Sequence, residues 1–440
     1  MITRRVLSLL LPGGLAAPAA LAATPVPALR RAEARRLQKY AETTHPRGWE
    51  AAADPAWRSG WDRLAAEADD LTTEAWVMGL MARLAWFRDG HTTIYTYMVK
   101  LPGFDLDLPI TASPFFDGLY VTAAKAEGAA LLGGRIVRVD GVAIEEVLRA
   151  FAAVWPANNA AGAYHHAGLA LKPAVLRGAR LAGPAAVSAP VTLEAEVEGS
   201  VVKVALTPRP DGGDALVALS RKPWPVETWR PGAQANFVHA DGKVLVIAFD
   251  RLSDKRDSIL AFVRDAFAAM EAPEIERVVL DLRRNDGGSN LMGEGLRRRL
   301  ERSRFNRPGG LYVLTGGKTF SAAQNLTSRI ERETWAVFVG EPSGGAPNHY
   351  GDAMPFQANG FPAYVSTLPW FDSDPLDKRV WTMPDVLVPL RFADWAAGRD
   401  AAMEAAFAHA DNRTLDDLSE ARTLYSDRPS QKTEWKPFWI

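Results

Sequence analysis

A serine placed where a strand gives way to a helix is a candidate nucleophile, and Ser321 stands in such a place. It follows the apolar run Leu311 to Leu314 and the turn Gly316-Gly317-Lys318-Thr319-Phe320, and it opens a helical stretch from Ala322 to Arg332. Free N–H groups at a helix N-terminus favour an anion. A carbonyl under attack becomes one, so the backbone N–H of Ala322 is a candidate oxyanion donor. Serine is also a frequent helix N-cap, and position alone favours that plainer role. Gly287 and Gly288 follow the buried run Val278 to Leu282, at the strand end where α/β proteins bind ligands. Lacking side chains, they let a backbone N–H approach a substrate oxygen. An ordinary turn would use the same pair.

A serine nucleophile needs a base that titrates near neutrality, and histidine is the usual one. There are seven: His45, His91, His165, His166, His239, His349 and His409. His91 lies in Arg88-Asp89-Gly90-His91-Thr92, directly after a helical pattern, and His349 lies in Pro347-Asn348-His349-Tyr350, soon after Ser321. The residues alone leave the choice between these two open.

Other chemistries fit less well. The chain has no cysteine, which excludes disulfides, thiolate zinc sites and a cysteine nucleophile. His-Glu-x-x-His is absent, and the adjacent His165 and His166 point apart on any regular element, so neither a metal nor a cofactor is expected. Gly317-Lys318-Thr319 ends like a phosphate-binding loop, but Tyr312 stands where that loop needs its first glycine. No Gly-x-Ser-x-Gly elbow surrounds Ser321, which disfavours an α/β-hydrolase. Lys and Arg number 51 against 52 Asp and Glu, so no basic excess exists to meet a nucleic acid.

The elements that must position these residues can be read from the apolar pattern. At 440 residues the chain exceeds one ordinary core, and 48% hydrophobic with 23% charged residues describes a folded, soluble protein. Leu29 to Tyr40 and Pro55 to Phe87 have helical spacing around Pro and Gly breaks. Leu119 to Thr122 and Arg135 to Val139 alternate as half-buried strands, Ile144 to Trp155 is helical, and residues 191 to 206 form a hairpin. From about residue 235 strands and helices alternate: Val244 to Phe249, Ser258 to Ala272, Val278 to Leu282, Leu311 to Leu314, Ala322 to Arg332 and Trp335 to Val339. That order implies a mainly parallel sheet. A last helix spans Asp400 to His409, and the final polar stretch reads as a surface tail. At the other end, Arg4 and Arg5 precede the uncharged stretch Val6 to Ala22, with small residues at Ala20-Leu21-Ala22, as in an export signal. Thr3-Arg4-Arg5-Val6-Leu7 is similar to a twin-arginine signal, so a periplasmic or secreted protein without a stable membrane span is expected.

Several motifs then fall in one order. Val279-Leu280-Asp281-Leu282-Arg283-Arg284-Asn285-Asp286-Gly287-Gly288 resembles the Asp-Leu-Arg-x-Asn-x-Gly-Gly segment of the C-terminal processing (tail-specific) protease and tricorn-core family of serine peptidases. Ser321-Ala322-Ala323-Gln324 resembles its Ser-Ala-x-Glu motif, with Gln for Glu; Val339 to Gly345, Pro384-Asp385 and Gly398-Arg399-Asp400 resemble its later elements. The resemblance implies an α/β fold with a crotonase/ClpP-like β-β-α spiral core, an N-terminal helical region and a PDZ-like β-rich domain, for which Leu132 to Gly141 is similar to a PDZ segment. The expected organisation is a signal peptide at 1–23, a helical region at 24–95, a PDZ-like and β-rich region at 96–232, a peptidase core at 233–412 and a tail at 413–440.

One departure matters. Where tail-specific members carry a lysine base, this chain has Ala346, and Lys318, just ahead of the serine, does not fit that dyad. Asp89-Gly90-His91-Thr92 resembles instead the Asp-Gly-His-Thr of the tricorn branch, which favours His91 over His349 as base. The resemblance then implies acyl transfer by Ser321, with Gly288 or Gly287 and Ala322 as oxyanion donors. No Glu stands just before Pro384 to orient the histidine; Asp377 and Asp374 are the nearest acids, and Asp89 is a further candidate. The substrate is expected to be a peptide or protein. The alternatives are a non-catalytic peptide- or ligand-binding protein on the same fold, and an esterase or amidase using the same serine.

Overall fold

The computed structural model describes residues 27–210, 216–223, 235–238, 242–252, 256–414 and 434–439. The expected signal segment lies outside them, as does most of the expected tail.

Four helices come first: α1 (Pro27–Thr44), α2 (Gly48–Ala53), α3 (Pro55–Ala66) and α4 (Thr73–Leu84). Asp54 separates α2 from α3: its carboxylate accepts the Ala56 N–H, and Pro55 takes the first helical position, where no N–H is needed. Thr72 caps α4 through the Ala75 N–H. Trp57, Trp61, Trp76 and Met81 are buried between these helices. A 3-10 turn, Ala85–Phe87, ends at Arg88 in the left-handed region (φ 50°), and this turns the chain into Asp89-Gly90-His91.

A β-rich region follows, with antiparallel strands in the order β1 (Ile110–Phe115), β2 (Gly118–Ala124), β3 (Arg135–Val139), β4 (Val191–Val197) and β5 (Ser200–Leu206). β4 buries alternate residues Val191, Leu193 and Ala195, as a one-faced strand does. Helix α5 (Ile144–Val154) packs its Ile144, Val147, Leu148 and Phe151 stripe inward.

The second half is built on a six-stranded sheet. β6 (Ala235–Val238) runs antiparallel to β7 (Val244–Ala248); β8 (Arg277–Asp281), β9 (Leu311–Thr315) and β10 (Val337–Gly340) continue in parallel. After β10 come a ribbon of β11 (Asn348–Gly351) with β12 (Leu368–Phe371) and a hairpin of Met354–Ala358 with Phe361–Val365. β13 (Val386–Leu387) closes the sheet beside β10. Every residue of β7 is buried because both faces are covered. On one face Leu245 and Ile247 meet α6 (Arg256–Met270), α7 (Asn290–Arg302) and α8 (Ala322–Glu333); on the other Val244 and Val246 meet α9 (Ala401–Ala408). The molecule is thus mixed α/β with several sheets. Among the described residues no helix is long and apolar enough to cross a membrane.

Many contacts join the halves, among them the following. Thr93 and Tyr364 exchange backbone hydrogen bonds of 3.0 and 2.8 Å, which fastens the His91 loop to the hairpin. Residues 434–439 correct the reading of a wholly superficial tail. Trp435 and Trp439 are 4% and 5% exposed and belong to the same core as α1–α4 and the β-rich region.

Candidate active site

Three loops converge at the C-terminal ends of the parallel strands: the one after α4, the one joining β8 to α7, and the junction of β9 with α8. Ser321 holds the N-cap position of α8 but does not cap it. Its backbone is at φ 54°, ψ −130°, an uncommon conformation for a residue with a side chain, worth about 1–3 kcal/mol of strain. That geometry takes Oγ away from the helix N–H groups. Oγ lies instead 2.8 Å from Nε2 of His91, across a sequence separation of 230 residues.

His91 is held on three sides. Phe320 stacks on its ring with centroids 4.4 Å apart, and His349 lies parallel to it at 5.8 Å. Behind it sits Asp89, fully buried, with Oδ1 3.5 Å from His91 Nδ1. The same Oδ1 accepts the His91 backbone N–H (3.0 Å), while Oδ2 accepts the hydroxyls of Thr92 (2.7 Å) and Ser366 (2.6 Å). His45 Nε2 is 3.4 Å from Oδ2. Burial pushes the Asp89 carboxyl up. The donors and the His91 charge outweigh it and hold Asp89 well below the usual carboxylate range. The two imidazole contacts are longer than good hydrogen bonds, so the short hydroxyl and backbone donors carry that direction. An ionised Asp89 stabilises a positive His91, which is what a base holding a transferred proton requires.

His349 is in the site in another state. Its Nδ1–H donates to the Ala346 carbonyl at 3.0 Å, and burial pushes its pKa down to about 4. It is neutral at pH 7 and a weak base, and the contact to Ser321 Oγ belongs to His91.

The glycines have separate tasks. Gly287 (φ 103°) brings its backbone against the serine: a Cβ there would lie 2.6 Å from Ser321 Cβ. Its N–H donates to Asn285 Oδ1 at 2.9 Å and is therefore occupied. Gly288 (φ 131°) and Ala322 both line the cleft beside Ser321. Their N–H groups make no hydrogen bond among the described residues. Of the two glycines weighed from sequence, Gly288 is the one with a donor to offer. Asn285 sews the loops together: its Nδ2 donates to Phe249 O (2.6 Å) and its carbonyl accepts from Phe320 N (3.2 Å). Asp281, Arg283 and Asp400 form a buried ion cluster at 2.7 Å that anchors the same loop to α9.

The other candidates lie elsewhere. Asp377 is not beside His91, because its carboxylate binds Arg379 and Ser373 in a cluster with Glu331. Asp374 is exposed and takes the Leu376 N–H. Lys318 lies 3.8 Å from Asp286 and lines a different cavity of about 740 Å3, which touches neither Ser321 nor His91. Gln324 is buried and donates to Ser328 and Thr382 hydroxyls. Ser366 and His45 carry no local pattern that would have singled them out, while Asn285 stands inside the Asp-Leu-Arg-x-Asn-x-Gly-Gly segment without a role assigned to it. Asp89 had one, a carboxylate two residues before a histidine in a tight turn. The cleft at Ser321 has a volume of about 620 Å3 and is lined by His91, Gly288, Ala322, His349 and Trp370 among others. The arrangement can remove a serine proton and receive an anion beside it.

Comparison with protein-family profiles gives no match for this chain, and comparison with curated proteins gives none. Solved structures do match. The chain resembles the crystal structure of mature CPAF with a TM-score of 0.59 at 12% identity, over 91% of this chain and 99% of that one. Mature CPAF complexed with lactacystin matches with a TM-score of 0.57 at 12% identity, over 90% and 99% of the two chains. The tricorn protease matches more weakly, with a TM-score of 0.41 at 12% identity over 91% of this chain and 37% of that one. The fold of this chain is the fold of mature CPAF.

Proposed function

We propose that the chain is a serine peptidase of the tail-specific protease and tricorn type, with Ser321 as nucleophile and His91 as general base. The observation that carries this reading is the 2.8 Å approach of His91 Nε2 to Ser321 Oγ, with a buried carboxylate behind the imidazole. His91 takes the hydroxyl proton as Oγ attacks the peptide carbonyl carbon. The carbonyl oxygen becomes an anion between the N–H groups of Gly288 and Ala322, donors of a kind worth about 3–4 kcal/mol each. The amide C–N bond breaks as His91 returns the proton to the leaving nitrogen. Water, deprotonated by His91, then cleaves the ester and restores Ser321. Asp89 keeps the imidazole oriented and offsets its charge.

The region 96–232 is read as PDZ-like, supported by β3, the Asp140-Gly141 turn and α5 packed on the sheet. The stacked turns of strand and helix from β7 to β10 support a crotonase-like spiral. Export rests on the sequence of residues 1–22 alone.

The test is labelling by a fluorophosphonate, located by peptide mapping, with Ser321→Ala and His91→Ala alongside. Label on Ser321, lost in both folded variants, is expected. A folded wild type that takes no label, and binds peptides without cutting them, would replace this reading with a binding protein. Turnover of esters without turnover of peptides would replace it with an esterase.

A further inference from the structure

We infer that His45 is a positioning residue for the proposed reaction, holding the Asp89 carboxylate in place from the side opposite His91. The inference rests on the Ser321–His91 reading.

His45 lies just beyond α1 and is 4% exposed. Its ring stacks on Phe87 at 4.0 Å and meets Tyr350 of β11 at 4.8 Å. Its Nδ1 accepts the Arg47 backbone N–H at 3.0 Å, so that nitrogen carries no proton. A ring proton then sits on Nε2, which lies 3.4 Å from Asp89 Oδ2, a little beyond a good hydrogen bond. A continuous line results: Arg47 N–H, His45, Asp89, His91, Ser321. It runs from the turn between α1 and α2 to the head of α8.

The chemistry of the donor is informative. A Lys or Arg in this place would neutralise Asp89 and weaken its hold on a positive His91. An imidazole N–H at 3.4 Å steadies Oδ2 and leaves the Asp89 charge in place. The remaining groups facing the ring are either engaged elsewhere or uncharged. The Arg47 guanidinium is directed to Glu50 and the Trp86 ring, and burial pushes the Tyr350 phenol up, so that it is uncharged. His349, also neutral, faces His91 rather than His45. Thr92 and Ser366 tie Oδ2 to its own loop and to the hairpin; His45 adds the N-terminal helices to that hold. With Oδ2 bound by the Thr92 and Ser366 hydroxyls and His45 Nε2 closing in at 3.4 Å, Oδ1 is left facing His91.

The experiment uses the full chain and two variants. His45→Asn keeps a polar side chain near Arg47 N but is too short to reach Oδ2. His45→Gln extends an amide N–H to the place of Nε2. The rate of fluorophosphonate labelling of Ser321 is measured from pH 5 to 9, with the melting temperature of each protein. The expected result is a labelling rate roughly tenfold lower in H45N, and closer to wild type in H45Q. In H45N the midpoint of the acid limb should move upward by roughly half a pH unit, because an Asp89 with fewer donors attracts the imidazolium more strongly. Wild-type rate and acid limb in H45N would overturn the inference. So would equal losses in both variants that track their loss of stability. A wild type without label would remove the underlying reading and this inference with it, so the two failures are distinguishable.

Discussion

Three carboxylates are candidates for the proposed role of orienting acid, and of these only Asp89 lies beside His91. Asp89 is buried behind His91 with an oxygen turned to the ring, whereas Asp377 is committed to Arg379. Asp89→Asn should therefore lower kcat/KM by roughly 10²- to 10⁴-fold, measured on any peptide the enzyme cuts. Asp377→Asn should leave the rate alone and cost about 1–3 kcal/mol in urea denaturation, since Arg379 keeps Glu331. At this scale the sequence pointed to Ser321, His91 and the glycines through motifs that stand in one order, and the structure brings them together. Asp89 was weighed but not preferred, because a turn residue and a catalytic partner look alike until the turn is closed. His45 was invisible as a partner, since its contact spans from one helix end to another loop.

The junction of β9 with α8 trades stability for a raised hydroxyl. Ser321→Gly removes the penalty of a side chain at φ 54° and should be about 1 kcal/mol more stable than Ser321→Ala, as judged by denaturation midpoints. Gly287→Ala tests the other loop. Its Cβ would press on Ser321 at φ 103°, so a loss of about 1–3 kcal/mol together with loss of labelling is expected. Equal labelling in the alanine variant would mean that the two loops do not meet this closely. The elements themselves were largely readable. Runs such as Val244 to Ala248 are buried on both faces and stand out in any apolar pattern. Helix α7 did not stand out, because Arg297, Arg298 and Arg299 dilute its stripe of Gly293, Leu296 and Leu300. The ribbon of β11 and β12 was missed as well, for its exposed residues Leu368 and Phe371 break the alternation. Trp435 and Trp439 anchor an extended segment, and such a segment has no period to detect.

The whole molecule should respond to pH through buried groups of opposite sign. Burial pushes His165 down to about 3 and His166 and His349 to about 4, so the folded chain keeps them neutral. Their stabilising contribution is complete above about 6.5, the unfolded value, and is lost as pH falls toward 4. Glu341 runs the other way: burial pushes it up to about 7. The folded state then binds a proton that the unfolded state has released. Its contribution is complete below about 4.3 and is lost as pH rises to 7. Glu341→Gln should accordingly gain stability over wild type at pH 8, on the order of 3 kcal/mol, and much less at pH 4.5. Urea midpoints at the two pH values check this; a gain independent of pH would mean that Glu341 ionises normally.

The distance along the chain between base and nucleophile has a consequence in time. His91 and Ser321 are 230 residues apart, and the hairpin strand Phe361–Val365, later still in the chain, fastens Thr93 beside His91 through Tyr364. A growing chain that has just produced its serine already holds His91 but still lacks the hairpin that fastens the His91 loop. Contacts of such long range form late and slowly. On the proposed mechanism the hydroxyl would stay inert through synthesis and become reactive in the step that completes the fold, which would spare the unfinished chain from its own chemistry.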